Sequence, residues 1–363
     1  MTRLRVGVVG SGIGASHIEG YAALPERYEV VALCDLDPVR GPEVAERFGI
    51  PAVTAGYDEL LRRDDLDVVD VCTPSGMHQA QAIAALQAGF HVVVEKPVAK
   101  SLSEMDAIEA AEAASGKRVC PIFQYRFGHG IQKLHHLIGK GLAGRPSVAT
   151  AETHWWRGDA YYQAASWRGT FAGELGGCLT THAIHVHDIL CEVLGPLASV
   201  HARTSNRLKG NETEDAAVLS LGFASGAFAT ASVTLSSRQE TSRLRFVFED
   251  MVAESGLEPY NPGHDPWTFP SDDPTARARI EAALADFEPL PERFPGQFYR
   301  MHAALAGGGP LPVTLADARR SIELLTAAYW SATTGETVAL PLPSDHPFYA
   351  GWIAAMEREA VHG

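Results

Sequence analysis

The chain has 363 residues, of which 46% are hydrophobic and 20% charged, a balance typical of a soluble globular protein of roughly two domains. Its formal net charge of −14 disfavours nucleic acid or an anionic membrane surface as a partner. No run of about 18 apolar residues occurs, and the N-terminus leads directly into a strand pattern, so we expect a cytoplasmic protein without a membrane span. The five cysteines are scattered through mostly apolar stretches, so we expect buried free thiols.

Strand-like and helix-like segments alternate through the first 122 residues. Short apolar runs predict strands at residues 6–9, 30–34, 52–54, 67–72, 91–94 and 119–123. Helices are predicted directly after the first strand and at residues 38–48, 57–61, 79–88 and 103–115. This βαβ spacing indicates a doubly wound, mostly parallel sheet, so residues 1–122 are predicted to form an α/β domain of the Rossmann type.

The pattern changes beyond Phe127. Residues 131–138 look helical, and strand-like segments then recur without helices between them, at residues 147–155, 198–204, 216–223, 227–235 and 244–249. Several alternate apolar and polar residues, which indicates a mostly antiparallel open sheet with one covered face. Residues 123–363 are therefore predicted to form a second domain of the α+β class.

Two segments of this second domain carry further predictions. Residues 259–274 are dense in proline and aspartate, and we expect an ordered irregular loop there because Trp267 and Phe269 need burial. Residues 315–334 predict a helix whose apolar stripe, Ile322, Leu325 and Tyr329, faces the core.

A glycine-rich turn follows the first strand. Gly10, Gly12 and Ala15 fit the G-x-G-x-x-G/A spacing, with Ile13 and Gly14 inside the same turn. The first glycine permits the tight turn, the second lets a pyrophosphate approach the backbone, and Ala15 lets the following helix pack on the strand. The unpaired amide groups and the dipole at that helix's N-terminus form an anion site. These five residues are predicted to bind a dinucleotide.

Asp35 ends the second strand, about 20 residues beyond the glycine turn, where the fingerprint has an acid for the ribose hydroxyls. A carboxylate at this position repels a 2′-phosphate, so NAD is favoured over NADP as the cofactor. Arg40 keeps NADP as a less favoured alternative, although the adjacent Asp37 weakens it.

Further motifs follow in order along the chain: TPSGMH at residues 73–78, EKP at 95–97, FQYRF at 123–127 and GGCLTTHAIHVHD at 176–188. Together with the glycine turn and a closing TGETVALPL at 334–342, they resemble the Gfo/Idh/MocA oxidoreductase family over nearly the whole chain. This resemblance implies NAD(P)-dependent oxidation of a sugar, polyol or similar secondary alcohol at a cleft between two domains. It also implies a homodimer or homotetramer built on the second domain's sheet.

Two turns at the carboxyl ends of predicted strands are expected beside the cofactor, because open α/β sheets bind ligands at that edge. Their candidate residues are Thr73, Pro74, His78, Glu95 and Lys96.

Lys96 is also the first catalytic candidate. It follows a central strand, where the nicotinamide half of the cofactor is expected, and its charge can hold a substrate hydroxyl and stabilise a developing alkoxide. The alternative is a surface lysine after a strand. The resemblance favours the catalytic role and implies a cis peptide bond before Pro97, which we expect here.

A second constellation lies in the segment 176–188 and consists of Thr181, His182, His185, His187 and Asp188. We predict that these residues lie on one helix that begins after Gly176 and Gly177. On such a helix Thr181, His185 and Asp188 share one side, with His182 at its border. The resemblance implies that His185 is catalytic, and an imidazole with a pKa near 6.5 suits the transfer of a hydroxyl proton. The family commonly has an aspartate where this chain has Thr181. Either His182 substitutes for it, or Thr181 positions a sugar hydroxyl.

The three histidines in this segment also raise the possibility of a metal. His182 and His185 could share a divalent ion with Glu174 or Asp188 as a third ligand. Neither the family nor hydride transfer requires such an ion, so no metal is predicted.

Aromatic and arginine side chains provide candidate substrate contacts. Trp156 and Trp167 could stack on a sugar ring while Arg157 or Arg168 binds a carboxylate or hydroxyls. A buried arginine that bridges loops, or a subunit interface, is an equal alternative. Tyr125 and Arg126 follow the last strand of the first domain and are expected near the domain junction, where a structural role is favoured for Arg126.

The sequence therefore predicts an NAD-dependent dehydrogenase of a sugar-like secondary alcohol, with Lys96 and His185 at the reacting hydroxyl. Two rivals remain open. A glycosidase could use NAD transiently through oxidation and elimination, and a non-enzymatic regulator could sense the cofactor on the same scaffold.

Overall fold

A computed structural model describes residues 2–208 and 210–356. It separates into two compact units, one made of Met1–Phe123 with Arg293–Arg319 and the other of Gln124–Glu292 with Arg320–Gly363. The segment 293–319, which the sequence analysis assigned to the second domain, thus groups with the first unit.

The first unit is built on a six-stranded sheet of order β3-β2-β1-β4-β5-β6, in which every pair is parallel. Its first elements in chain order are β1 Leu4–Val9, α1 Gly14–Ala22, β2 Tyr28–Cys34, α2 Arg40–Phe48, β3 Val53–Thr54, α3 Tyr57–Leu61, β4 Val68–Val71, α4 His78–Gln87, β5 His91–Val94, α5 Leu102–Ser115 and β6 Val119–Pro121. The predicted doubly wound parallel sheet is confirmed. The strand order reverses between β1 and β4, so the ligand crevice of such a sheet lies at their carboxyl ends.

The remaining elements in chain order are α6 His129–Gly139, β7 Pro146–Trp156, α7 Asp159–Gln163, α8 Phe171–Glu174, α9 Cys178–Thr181, α10 Ile184–Leu194, β8 Leu197–Ser205, β9 Ala216–Phe223, β10 Phe228–Thr234, β11 Ser236–Phe248, β12 Val252–Ser255, β13 Trp267–Thr268, α11 Pro274–Ala285, α12 Arg293–Gly307, α13 Leu315–Thr334 and β14 Val338–Ala339. Of these, α12 belongs to the first unit. Neither α11 nor α12 was predicted from the sequence.

Aromatic packing explains why α12 joins the first unit. Phe298 stacks on Tyr21 of α1, with ring centroids 4.0 Å apart, and Phe294 is buried in the same core. A Cβ on Gly20 would lie 2.9 Å from the Phe298 ring, so the glycine allows the two helices to approach closely. The apolar face of α12 therefore completes the core beneath β1.

The second unit carries an eight-stranded sheet of order β13-β12-β11-β7-β10-β9-β8-β14. Among the described strands, β10 and β7 form its one parallel pair, and the other pairs are antiparallel. The predicted mostly antiparallel sheet is confirmed. Ala149, Ala229 and Leu219 face the core, whereas the preceding residues Val148, Phe228 and Val218 are exposed on the opposite face.

The prediction of one continuous helix that begins after Gly177 and carries Thr181, His185 and Asp188 is wrong. The segment forms α9 and α10, with His182 and Ala183 between them. Thr181 ends one helix and His185 lies in the first turn of the next, so they do not share one face of a continuous helix.

Other predictions for the second unit and the cysteines are confirmed. Residues 259–274 are mainly irregular, and Trp267 and Phe269 are buried. The helix at residues 315–334 is present, with its stripe of Ile322, Leu325 and Tyr329 buried. All five cysteines are buried free thiols. No helix in the described part of the chain combines the length and apolar character needed to cross a membrane.

Candidate active site

The glycine turn between β1 and α1 has the shape of a dinucleotide cradle. Gly10 has φ of +92°, and a Cβ there would lie 2.8 Å from the Cys72 carbonyl oxygen. A Cβ on Gly12 would meet nothing within 4 Å, so the backbone there is open to a ligand. In the described chain, no side-chain hydrogen bond caps α1 and no acidic residue lies in its first turn, which leaves its positive end suited to a phosphate.

The close contact between helix and strand lies one position earlier than the motif spacing predicts. A Cβ on Gly14 would lie 3.0 Å from Cγ1 of Val8 and 3.3 Å from the Cys72 Cβ, whereas Ala15 is only half-buried. Gly14 therefore lets α1 pack closely on β1, and the packing role of Ala15 stays a prediction. Ile13 beside it is 44% exposed.

Asp35 lies directly after β2 and is fixed by the glycine turn. Its carboxylate accepts hydrogen bonds from the Ser11 amide at 2.7 Å and from the Asp37 amide at 2.8 Å. Burial acts to raise the pKa of Asp35, but these hydrogen bonds and the one from the Ser11 hydroxyl outweigh it and lower the pKa. Arg40 donates to Ser11 Oγ at 2.9 Å and places its guanidinium 3.3 Å from Asp35. The predicted ribose carboxylate is thus ionised and partly neutralised by an exposed arginine.

The two turns at the carboxyl ends of β4 and β5 are joined by His78. Its ring nitrogens lie 2.8 Å from the carbonyl oxygens of Thr73 and Pro97, and burial lowers its pKa. Thr73 is half-buried and Pro74 exposed, so both are open to a ligand, whereas His78 is buried. Direct contact between His78 and a cofactor stays a prediction.

Lys96 follows β5 with its side chain half-buried. The Lys96–Pro97 bond is cis, which confirms that prediction. The backbone amide of Lys96 donates to the carboxylate of the buried Glu95 at 3.0 Å.

In the second unit, α10 meets the FQYRF segment through two side-chain pairs. The Tyr125 ring stacks on His185 with centroids 4.4 Å apart. Arg126 Nε donates to Asp188 at 2.6 Å, and both side chains are almost completely buried. Arg126 therefore positions α10 through a buried ion pair, the structural alternative that the sequence analysis favoured. Its role as a substrate contact stays a prediction.

Thr181, His182 and Arg157 form a chain of hydrogen bonds. Arg157 Nε donates to His182 Nε2 at 3.1 Å, and the Thr181 hydroxyl donates to the Gly177 carbonyl at 2.7 Å. The proton on His182 must then lie on Nδ1, which contacts the Thr181 oxygen. His182 is held as the neutral tautomer with its lone pair directed at an arginine, an arrangement that does not suit a general base.

The aromatic segment after β7 holds its arginines by stacking. The Arg157 guanidinium lies 5.1 Å from the Tyr161 ring centre, and Arg168 lies 3.9 Å from the same ring. Arg238 stacks on Trp156 at 3.6 Å. Trp167 is 44% exposed, and the Arg168 guanidinium lies 5.3 Å from its ring centre. These contacts are typical of cation–π packing, and a sugar ring would compete with arginine for the same faces.

The alternative metal site is not assembled. Asp188 is paired with Arg126, Glu174 accepts the Gly169 amide at 2.6 Å, and His182 accepts from Arg157. Within residues 2–208 and 210–356, these side chains do not converge as a ligand group.

Glu214 is a buried residue that the sequence reasoning missed. Its carboxylate accepts from the amides of Gly177 at 2.9 Å and Leu179 at 3.1 Å, and from the Tyr329 hydroxyl at 2.9 Å. A Cβ on Gly177 would lie 2.0 Å from the Glu214 carbonyl oxygen. Burial raises the pKa of Glu214 to about 7, against the opposite effect of these donors. The glycines before α9 were the only local signal for this packing, and they do not identify a partner so distant in sequence.

Comparison with known proteins covers both units. Residues 4–123 match the model of an oxidoreductase family with an NAD-binding Rossmann fold, and residues 131–254 match the GFO/IDH/MocA C-terminal domain. Levoglucosan dehydrogenase of Pseudarthrobacter phenanthrenivorans is 29% identical over 239 residues, which are 62% of this chain and 60% of that protein. Inositol 2-dehydrogenase of Salmonella typhimurium is 33% identical over 146 residues, 39% of this chain and 44% of that protein. The aligned chain thus spans less than two thirds of these relatives.

A solved structure resembles the chain over more of its length. The WlbA dehydrogenase from Bordetella pertussis, in complex with NADH and UDP-GlcNAcA, is 29% identical with a TM-score of 0.82. The match covers 94% of this chain and 100% of that one.

Proposed function

The chain belongs to the Gfo/Idh/MocA oxidoreductase family, and from this we propose that it is an NAD-dependent dehydrogenase of a sugar, polyol or sugar derivative. The observation that carries the proposal lies within the first unit. The glycine cradle after β1 and Lys96 after β5 stand at the carboxyl edge of one parallel sheet, where such folds bind a dinucleotide and its substrate.

Residues of the first unit would hold the cofactor. The turn from Gly10 to Ala15 fits the pyrophosphate, and Asp35 fits the ribose hydroxyls. Thr73 and Pro74 would border the nicotinamide half. When bound, the nicotinamide supplies the acceptor for hydride, and the family match supports NAD for this purpose.

We assign the proton chemistry to Lys96 and His185. The Lys96 ammonium donates to the substrate hydroxyl and stabilises the negative charge that develops on its oxygen. A ring nitrogen of His185 takes the hydroxyl proton while the carbinol C–H bond gives up its hydride and a carbonyl forms. Reduction runs the same steps in reverse. Stacking on Tyr125 fixes the plane of the His185 ring and so its direction of approach.

Thr181 and His182 take a supporting role in this proposal. The neutral His182, directed at Arg157, does not supply the charge of the aspartate that the family commonly has at position 181. We therefore expect the acid–base step to depend on His185, with Thr181 orienting a sugar hydroxyl.

Sugar-like substrates are supported by the names of the relatives, which act on levoglucosan and inositol, and by UDP-GlcNAcA in the WlbA structure. We propose that Trp167 stacks on the sugar and that Arg157 and Arg168 bind its polar groups, with Tyr125, Arg126 and Trp156 completing the wall. We also propose a homodimer or homotetramer formed through the exposed face of the second sheet.

The proposal is tested by mixing the purified protein with NAD and a panel of monosaccharides, inositols, sugar acids and glycosides, while NADH absorbance is followed. Lys96→Ala and His185→Ala should each lower kcat/KM by about 10²-fold or more, a typical contribution of a positioned acid or base. Lys100→Ala and His135→Ala are matched controls on exposed side chains and should leave activity unchanged. Full activity in either active-site variant would remove that residue from the mechanism.

A further inference from the structure

His17 lies in α1, immediately beyond the glycine turn, and is fully buried between two carboxylates. Its Nδ1 lies 2.9 Å from Asp70 Oδ2, and its Nε2 lies 3.1 Å from Glu95 Oε1. Asp70 is in the middle of the parallel sheet on β4, and Glu95 follows β5. All three side chains are at most 7% exposed.

The protons in this group follow from its geometry. A carboxylate can only accept, so an imidazole that contacts two carboxylates must donate from both nitrogens. Burial acts to lower the pKa of His17, but the charge of Asp70 and its hydrogen bond to the ring act in the opposite direction, and the pKa is raised well above its usual value. His17 is therefore a buried imidazolium, and the two carboxylates compensate its charge.

The two carboxylates also accept hydrogen bonds from groups other than His17. Asp70 Oδ2 accepts from the Tyr21 hydroxyl at 2.9 Å, and its Oδ1 accepts from the Cys72 thiol at 3.3 Å. The second oxygen of Glu95 accepts the backbone amide of Lys96 at 3.0 Å. An unbroken chain of hydrogen bonds thus runs from β4 through α1 to the amide of Lys96.

Aromatic rings of α12 cover the histidine. The Phe294 and Phe298 ring centres lie 4.5 Å and 5.6 Å from that of His17. These rings exclude water from the ion pairs and keep their effective dielectric low, so the geometry is held firmly.

We propose that His17 and Glu95 are positioning residues for Lys96: His17 fixes the Glu95 carboxylate, which holds the Lys96 amide and so sets the direction of the catalytic ammonium. The inference rests on the proposed role of Lys96. It also gives the Glu of the EKP tripeptide a task other than contact with the cofactor. The proposed pyrophosphate cradle lies at the N-terminus of α1. The same chain of hydrogen bonds therefore links the position of α1 to that of Lys96.

The test compares Glu95→Ala with Glu95→Gln. The alanine removes the acceptor for the Lys96 amide and should lower kcat about 10- to 100-fold, the usual cost of a misplaced catalytic group, with a smaller change in KM. Glutamine keeps an acceptor for that amide and can donate to a neutral His17, so it should restore most of the lost kcat. A Glu95→Gln variant that folds but is as slow as Glu95→Ala would overturn the proposal.

The matched control is Glu104→Ala. Glu104 accepts the backbone amide of Lys100 at 2.9 Å, the same contact at a lysine outside the site. This variant should leave kcat unchanged, although α5 loses part of its N-terminal capping.

A double-mutant cycle separates this inference from the function on which it rests. In a Lys96→Ala background, Glu95→Ala should cause no further loss of kcat, because its effect passes through Lys96. Losses that multiply would overturn the positioning role. Full activity of Lys96→Ala alone would instead remove Lys96 from the mechanism, and a lack of NADH formation by the unaltered protein with every substrate of the panel would overturn the proposed function.

A measurement on the unaltered protein keeps the inference testable if Glu95→Ala does not fold. The ¹⁵N chemical shifts of the His17 ring should show a doubly protonated imidazole at about pH 8, above the ordinary histidine pKa. A neutral ring there would contradict the charge assignment. His17, Asp70 and Cys72 also have the spacing of metal ligands. A His17 ring that is protonated on both nitrogens cannot bind a metal, so the purified protein should contain no stoichiometric metal. A tightly held ion would overturn the hydrogen-bonded chain.

Discussion

We propose that Asp35 controls the choice between NAD and NADP in two ways. Its carboxylate occupies the position of a ribose contact, and it also draws the Arg40 guanidinium to within 3.3 Å. A 2′-phosphate would meet the carboxylate first, and the arginine that could bind it is already partly neutralised. We expect NADH to bind at least about tenfold more tightly than NADPH, which corresponds to about 1.4 kcal/mol.

Substitution of Asp35 tests this account. Asp35→Ser should weaken NADH binding and strengthen NADPH binding, because Arg40 is then released toward the phosphate. The exposed Asp58→Ser variant should change neither affinity. Fluorescence titrations that give equal NADH and NADPH affinities for the unaltered protein would remove this role for Asp35.

A second prediction at the scale of a single residue concerns the effect of Glu214 on the pH dependence of stability. Its pKa is raised from 4.5 to about 7 by burial, so its protonated form is favoured in the folded state. The resulting stabilisation is fully present below about pH 4.5 and is lost as the pH rises through about 7. Glu214→Gln removes this titration. Between about pH 4.5 and pH 7, the free energy of unfolding of the native protein, measured in urea, should therefore fall by up to about 3 kcal/mol more than that of the variant. Parallel pH curves would contradict the pKa shift.

At the scale of the element, the short helix α9 depends on the glycine before it. Gly177→Ala would place a methyl group 2.0 Å from the Glu214 carbonyl oxygen, so backbone must move. We expect a loss of about 2 kcal/mol or more in unfolding free energy. Gly139→Ala is the matched control, because its Cβ in helix α6 meets nothing within 4 Å, and it should raise stability by about 0.5–1 kcal/mol. Equal effects of the two substitutions would refute the role of Gly177.

Most elements could be predicted because their apolar pattern is local. The helices Tyr57–Leu61 and Leu315–Thr334 and the strands His91–Val94 and Ala216–Phe223 match the sequence-based bounds. The break between α9 and α10 could not be predicted, because no proline or glycine marks it. The Arg157–His182 hydrogen bond at this break joins residues that are far apart in the sequence. The grouping of α12 with the first unit depends on Phe298 stacking against Tyr21, which no local pattern reveals.

The same difference between local pattern and long-range contact separates the residues of the candidate site. Gly10, Gly12, Asp35 and Lys96 could be proposed as site residues from the sequence because each stands at a fixed distance from a strand end. The carboxylates around His17 could not, since Asp70 and Glu95 lie in apolar strand contexts and meet the histidine only in the folded sheet.

At the scale of the whole molecule, the exposed face of the second sheet supports the proposed assembly. Phe228, Val218 and Val148 are 64%, 55% and 42% exposed on one face, and Phe228 lies beside Val148 in the register. Such a patch is typical of a subunit interface. Phe228→Asp should convert the assembly to monomers in light scattering, whereas Leu257→Asp, at a residue that is 59% exposed elsewhere, should not. A monomeric native protein would contradict the assembly.

The most direct test of the account is the amount of NADH formed per molecule of substrate consumed, measured with the sugar that is turned over most rapidly. A dehydrogenase that uses Lys96 and His185 produces one NADH for each carbonyl product, and this yield is the result that we predict. Sugar release without net NADH would contradict it and identify a glycosidase that oxidises and reduces its substrate in one cycle. Tight NADH binding without turnover of any sugar would contradict it in favour of a cofactor-sensing regulator.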